Sequence, residues 1–518
     1  MKKRIILLAL LLPLLSVWSC DKKDPSNPSS GETPPATDTT PATLSVFGFF
    51  SSDNDGLFPT DICVKEPAEG DIKLRLPYGL SAEQLKTLKP RFELSGNGEI
   101  RLADGTPVQS GAAIDFTNPV SFTLVSGETS KTYRVSVSVR SKPEFKIKAA
   151  AGVEVATTNT AQSNDVPYLN VNPTDGCAYV AINDAAAKRL ERKLLLFKYD
   201  GTSDIELVTG GPLLSDRTGV TPAVGFDKKG TPYVAFADYT DDTNSSSRQS
   251  EVSVVKVSGG KASLLGGPKE IGAVFSGFHP YILPIDDNDV WVLSAPIDAT
   301  TYKIGVYHYG GTSWERQTLA ESAYFTRDTY PCGIADRGYV YVSYIDSDAT
   351  KVDVIQFRDG AWSRLVSNLS FYRPDFSVIK SFKFPGRGIA VDDAGNLYLQ
   401  LLADIDKSGE VKLALFRRPA GGGKMEQIGS AIPEVLYTTR VNTSVAIDDS
   451  GTIFMSYSTG GYQPTICYYD VSKGDWSEDV APSLDAFCVT SQMRFNATGR
   501  GFVAWKNSDN ELVICSID

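Results

Sequence analysis

Asp227-Lys228-Lys229-Gly230-Thr231-Pro232-Tyr233-Val234-Ala235-Phe236-Ala237-Asp238 reads as the end of one strand, a tight turn opened by Asp and relaxed by Gly, and a second, apolar strand closing on an acid. The phrase returns down the chain. Aligned on its aromatic residue it recurs at Tyr179, Tyr233, Trp291, Tyr341, Tyr398, Phe454 and Phe502, at spacings of 54, 58, 50, 57, 56 and 48 residues. A period near fifty leaves room for about four strands, the content of one β-propeller blade, because a lone twisted sheet cannot bury both apolar faces and radial stacking covers them. Seven copies predict seven blades.

Within one unit the pattern predicts strand a at Val220 to Phe226, strand b at Tyr233 to Ala237, strand c at Val252 to Val257 and strand d at Ala262 to Leu265. The seventh unit stops after its strand c, Glu511 to Ile517, while residues 145–156 form a strand-like segment with no blade of their own. The expectation is therefore a propeller over 144–518, its last blade closed by the N-terminal strand 145–156, with no unpaired edge at the seam. Alternating strands put the a–b and c–d turns on one rim and the b–c and d–a loops on the other. The second rim is loop-rich and polar, as a functional surface on a rigid scaffold would be.

Aliphatic, aromatic and cysteine residues make up 42% of the 518, enough for a sizeable core. Lys and Arg number 51 against 62 Asp and Glu, a formal net charge of −11 without a basic face, which argues against nucleic acid as a partner. Met1-Lys2-Lys3-Arg4 followed by the short apolar run Ile5 to Leu15 is a targeting segment. With Val17-Trp18-Ser19-Cys20 it resembles a bacterial lipoprotein signal, which implies that residues 1–19 are removed and Cys20 is acylated. Asp21-Lys22-Lys23-Asp24 is similar to the charged patch that sends Bacteroidetes lipoproteins to the outer face of the outer membrane. A periplasm-facing anchor stays open. Residues 20–44, rich in Pro, Ser and Thr, lack the apolar content to order and read as a tether of about 70 Å at roughly 3 Å per residue.

From 45 to 140 the pattern changes to short strands. Ile72-Lys73-Leu74-Arg75-Leu76 and the run Thr132 to Val139 alternate apolar with polar, as half-buried antiparallel strands do. About seven such strands suit a small β-sandwich. With Leu88-Lys89-Pro90-Arg91-Phe92 and Asp115 to Leu124, the segment looks like the immunoglobulin-like module that opens many Bacteroidetes surface lipoproteins. That resemblance implies a spacer ahead of a binding domain. It also implies glycan capture as the task, and an outer-membrane transport complex among the partners.

On the loop-rich rim, aromatic rings and planar polar side chains suit sugars, whose ring faces are apolar and whose hydroxyls pair with amides, carboxylates and guanidinium groups. The residues expected there are Asp238, Tyr239, His279, Tyr302, Tyr330, Arg387, Arg440, Asn442, Tyr462 and Gln492. The recurring Asp…Gly turns, such as Asp392-Asp393-Ala394-Gly395 and Asp448-Asp449-Ser450-Gly451, read as turn chemistry rather than cation sites. No cofactor or metal is expected. Only His279 and His308 are histidines, and no nucleophile elbow, phosphate loop or zinc-protease helix is present. Binding without catalysis is the leading reading. A sialidase-like glycosidase or lyase and a protein-docking scaffold stay open beside it, because 62 acidic residues offer many carboxylate pairs that only geometry can select.

Overall fold

The computed structural model describes residues 41–155, 167–186, 191–242, 249–275, 279–294, 304–318, 332–336, 338–345, 351–370, 388–403, 410–433, 435, 443–459, 464–480 and 491–518. Pro41–Asp518 form one compact unit. It holds a small β-sandwich and a seven-bladed propeller.

The sandwich packs a three-stranded sheet, in the order Ile62–Lys65, Thr43–Phe49, Pro90–Ser95, on a five-stranded one, in the order Gly70–Leu76, Thr129–Val139, Val120–Ser126, Glu99–Leu102, Pro107–Val108. Its core is aromatic: Phe49 meets Phe116 edge-on at 5.1 Å and Phe47 meets Phe122 at 5.6 Å. Each fully buried ring of this kind contributes about 1.5–3 kcal/mol through area alone. Ala42 and Leu44 already belong to this core, so the sandwich starts ahead of residue 45. Gly70–Leu76 and Thr129–Val139 alternate as expected but run parallel to each other. More than fifty residues of chain separate them and supply the crossover that a parallel pair needs.

Seven sheets follow in chain order. Blade one is Tyr168–Val171, Ala178–Asn183, Leu194–Tyr199, Glu206–Leu207, and blade seven is Arg494–Phe495, Gly501–Lys506, Glu511–Ile517 with Phe145–Glu154 as its outer strand. That last pairing is antiparallel, with Ile517 opposite Phe145 and Cys515 opposite Ile147. A shared apolar cluster then joins Phe502, Leu512 and Ile514 of blade seven to Leu169, Val180 and Phe197 of blade one. In blade two, strand c runs over the ten residues Gln249–Ser258. The four-residue strand Lys261–Leu264 covers half of it, and Ile271–Phe275 pairs with the rest.

The recurring aromatic has one place in every sheet. On strand b it faces a strand-c partner: Tyr179 opposite Lys198, Tyr233 opposite Lys256, Trp291 opposite His308, Tyr398 opposite Arg417 and Phe454 opposite Tyr468. Trp291 and His308 stack at 4.1 Å, and the Lys198 ammonium lies 5.6 Å from the Tyr179 ring centre. Such cross-strand pairs are worth about 0.2–1 kcal/mol each and recur because they hold register.

The a–b turns touch around the ring. Asn172 Nδ2 of blade one donates to the Gly230 carbonyl of blade two at 2.9 Å, and Asn496 of blade seven donates to Gly176 of blade one at 3.0 Å. Gly230 has φ 79°, and a Cβ there would lie 2.6 Å from Asn172 Oδ1 and 2.7 Å from Thr174 Oγ1. Gly230→Ala is therefore expected to cost about 1–3 kcal/mol, through left-handed strain together with overpacking. A calorimetric Tm within a degree of the native protein would show that the turns do not pack as described.

Candidate functional site

Two regions gather polar chemistry: the seam between sandwich and propeller, and the central channel. The seam is built on the a–b turns of blades five and six. Where blades one and seven open this turn with Asn, blades five and six open it with Asp392 and Asp448, which cannot donate to the next blade. The sandwich takes up that role. Thr60 Oγ1 donates to the Gly451 carbonyl at 2.7 Å, the same turn position that the asparagines reach elsewhere. The Asp61 N–H donates to Asp392 Oδ2 at 3.1 Å, and Asn396 Nδ2 bridges Asp61 and Asp392 at 2.8 and 2.7 Å. Arg417 Nη2 lies 3.0 Å from Asp61, and the Tyr398 hydroxyl donates to Asp392 at 2.9 Å.

A second buried pair lies beside it. Arg140, at the end of the sandwich, places Nε 2.9 Å from Asp448 Oδ2, with both side chains 0% exposed and the guanidinium 5.3 Å from the Phe454 ring centre. Burial pushes the Asp448 carboxyl up to about 6 even though Arg140 pulls it down, and burial also raises Asp392. The turn reading of these aspartates holds, since Asp392 Oδ1 and Asp448 Oδ1 accept N–H groups four residues on at 2.9 Å. Their second oxygens do the docking, which the repeat alone did not reveal.

The channel is lined by strand a of all seven blades. At the mouth ringed by the a–b turns, on the side where the sandwich docks, lies a cavity of about 830 Å³. Asn170, Ile282, Ile334, Ile389, Val445 and Arg494 are among its walls. A bridge crosses the channel at its inner end. Gln492 Nε2 of blade seven donates to the Gly333 carbonyl of blade four at 3.0 Å, across nearly the full ring, and Arg494 Nη2 donates to Gln492 Oε1 at 2.9 Å.

The structure corrects the expectation for several rim residues. Asp238 is 0% exposed: it pairs with Arg217 at 2.8 Å and accepts from Ser253 Oγ at 2.6 Å, locking strand b to strand c. Tyr239 is 1% exposed and packs in the core of blades one to three, so its ring has no face to offer a sugar. His279 is held inside the channel, where Nδ1 donates to the Pro222 carbonyl and the ring packs on Tyr168 at 5.2 Å. The Pro222 carbonyl is available because a register shift between Val220 and Ala223 takes residues 221 and 222 out of the ladder, with Thr221 at φ 51°. Gln492 is the channel bridge rather than a rim group. Tyr302, Tyr330, Arg387, Arg440, Asn442, Tyr462 and the lipidation candidate Cys20 lie outside the described residues. Arg494 escaped the sequence reading; its signal was a charged residue two positions before the turn, where other units carry Gly225, Pro284, Ala390 and Ala446.

Among the described residues, no cluster of three or more His, Cys, Asp or Glu is arranged to hold a metal ion, and no helix is long and apolar enough to cross a membrane. Residues 62–137 match a family model described as "SGBP, N-terminal", the amino-terminal module of a Bacteroidetes surface glycan-binding family. No curated protein matches the chain in sequence. Solved structures similar to it include an ulvan lyase of polysaccharide lyase family 25, bound to a GlcA–Rha3S unit (13% identity, 70% of this chain and 94% of that one, TM-score 0.44). They also include the α-L-arabinanase of Penicillium chrysogenum with arabinobiose (13%, 58% and 93%, TM-score 0.34). A third is an Aleuria aurantia lectin mutant with a fucosylated GlcNAc (13%, 65% and 99%, TM-score 0.38).

Proposed function

We propose that this chain is a surface glycan-binding lipoprotein of the Bacteroidetes type, held to the outer membrane by an acylated Cys20 and capturing glycan on its propeller. The observation that carries the reading is the match of the sandwich to the N-terminal module of a surface glycan-binding family. The joint between sandwich and propeller supports it. Buried ion pairs at Arg140–Asp448 and Arg417–Asp61 join the sandwich to the propeller, as suits a spacer that presents a binding domain.

Affinity electrophoresis of the full-length protein through gels containing neutral and acidic polysaccharides, with product analysis of the same samples, tests the binding. Retardation without new chain ends is expected. New reducing or unsaturated ends would replace this reading with an enzyme, and migration unaffected by every polysaccharide would end it. For the anchor, Cys20→Ala is expected to move the protein from the detergent phase to the aqueous phase on Triton X-114 partitioning. Unchanged partitioning would remove the lipid from the account.

A further inference from the structure

On the footing of the glycan reading above, we infer that the glycan site is the channel mouth on the sandwich side, and that it takes the end of a neutral chain rather than its interior. The cavity there, about 830 Å³, has the size of a small-ligand site. Its shape sets the mode of binding. The Gln492–Gly333 bond crosses the channel at its inner end, so a chain entering at the mouth meets this bridge before it can thread through, whereas an internal stretch of polysaccharide needs a path out as well as in.

The walls set the chemistry. Every strand a is the innermost strand of its sheet, with a ladder partner on one side only. Its other edge turns main-chain N–H and C=O groups toward the lumen, donors and acceptors in near-equal number and without charge. Hydroxyl groups, each both donor and acceptor, are the complement of such a surface. Some of these carbonyls are already taken: Asn170 Nδ2 donates to Val224 at 3.1 Å, and His279 and Gln492 bond Pro222 and Gly333. Val171, Ile285 and Ile447, half-buried at the mouth, provide apolar surface for the C–H faces of a sugar. Charges at the mouth are balanced: Asp448 faces Arg140 at 2.9 Å and Asp449 faces Arg75 at 3.2 Å, Asp227 Oδ1 accepts from the Lys229 and Thr231 N–H groups at 2.9 Å, and Asp393 and Lys228 add one charge of each sign. Deeper in, Arg494 is oriented by Gln492 and adds guanidinium donors to the wall.

The test is titration calorimetry on the full-length protein in detergent. Its probes are neutral gluco-, manno-, galacto- and arabino-oligosaccharides of two to six sugars, their parent polysaccharides, and oligogalacturonates. One neutral series is expected to bind with an affinity that stops improving after two or three sugars. Partial hydrolysis of its parent is expected to raise the binding capacity per gram in proportion to chain ends. Ala497→Trp, at an exposed position lining the mouth, is expected to weaken binding at least tenfold without moving the unfolding midpoint. Arg494→Gln is expected to weaken it similarly, and if that buried substitution prevents folding Ala497→Trp decides. Native-like binding by Ala497→Trp would place the site elsewhere and overturn the inference while leaving glycan binding intact. So would affinity that climbs steadily to six sugars, or a preference for oligogalacturonate. Absence of binding to every probe by the native protein would remove the glycan reading itself, and this site with it.

Discussion

Arg140→Met is expected to destabilise the folded unit by about 3–5 kcal/mol at pH 8 and by clearly less at pH 5. The substitution leaves Asp448 in a fully buried position with its cation gone. The Asp448 carboxyl is already raised from 3.8 to about 6 with Arg140 beside it, and losing that attraction raises it further. The sign follows from proton binding. A carboxyl whose folded value exceeds its unfolded value takes up a proton on folding, so stability falls as pH rises from about 4 through the folded value, and the full cost is present above it. At pH 5 the variant can protonate Asp448 and escape much of the penalty. Urea unfolding at the two pH values reads this directly, and an equal loss at both would mean that Asp448 is not the titrating group.

Asp61→Ala is expected to cost about 3 kcal/mol and to loosen the sandwich from the propeller. The Asp61 carboxylate accepts from the Ser51 N–H at 2.7 Å and from Asn396 Nδ2 at 2.8 Å, and faces Arg417 at 3.0 Å. Without it a buried guanidinium on strand c of blade five loses that counter-charge. X-ray scattering of the variant should show a larger radius of gyration while near-ultraviolet dichroism stays native, as two intact modules with a mobile joint would give. A radius unchanged from the native protein would show that Thr60 and Arg140 hold the joint without Asp61. Combined with Arg140→Met, the loss should fall short of the sum, because either substitution weakens the interface that the other depends on.

The features of this fold that are local and repeated are written plainly in the amino-acid order. The spacing of seven aromatics announced seven sheets, and the structure seats each aromatic at the same register on strand b, as in the Tyr233–Lys256 and Tyr398–Arg417 pairs. The Asp…Gly turns were legible for the same reason, since Asp227, Asp392 and Asp448 satisfy N–H groups two to four residues on. Solvent exposure along a rim is not local information. Asp238 and Tyr239 stand at the mouth of a polar loop in the sequence, yet Arg217, Ser253 and the neighbouring blade enclose them. Gln492 looked like a loop residue because its partner, Gly333, is 159 residues away on another blade. Which turn aspartates dock the sandwich is set by long-range packing alone. Asp61 meets Asp392 and Thr60 meets Gly451 across 331 and 391 residues, and a contact of that kind exists only once both modules are folded and set against each other.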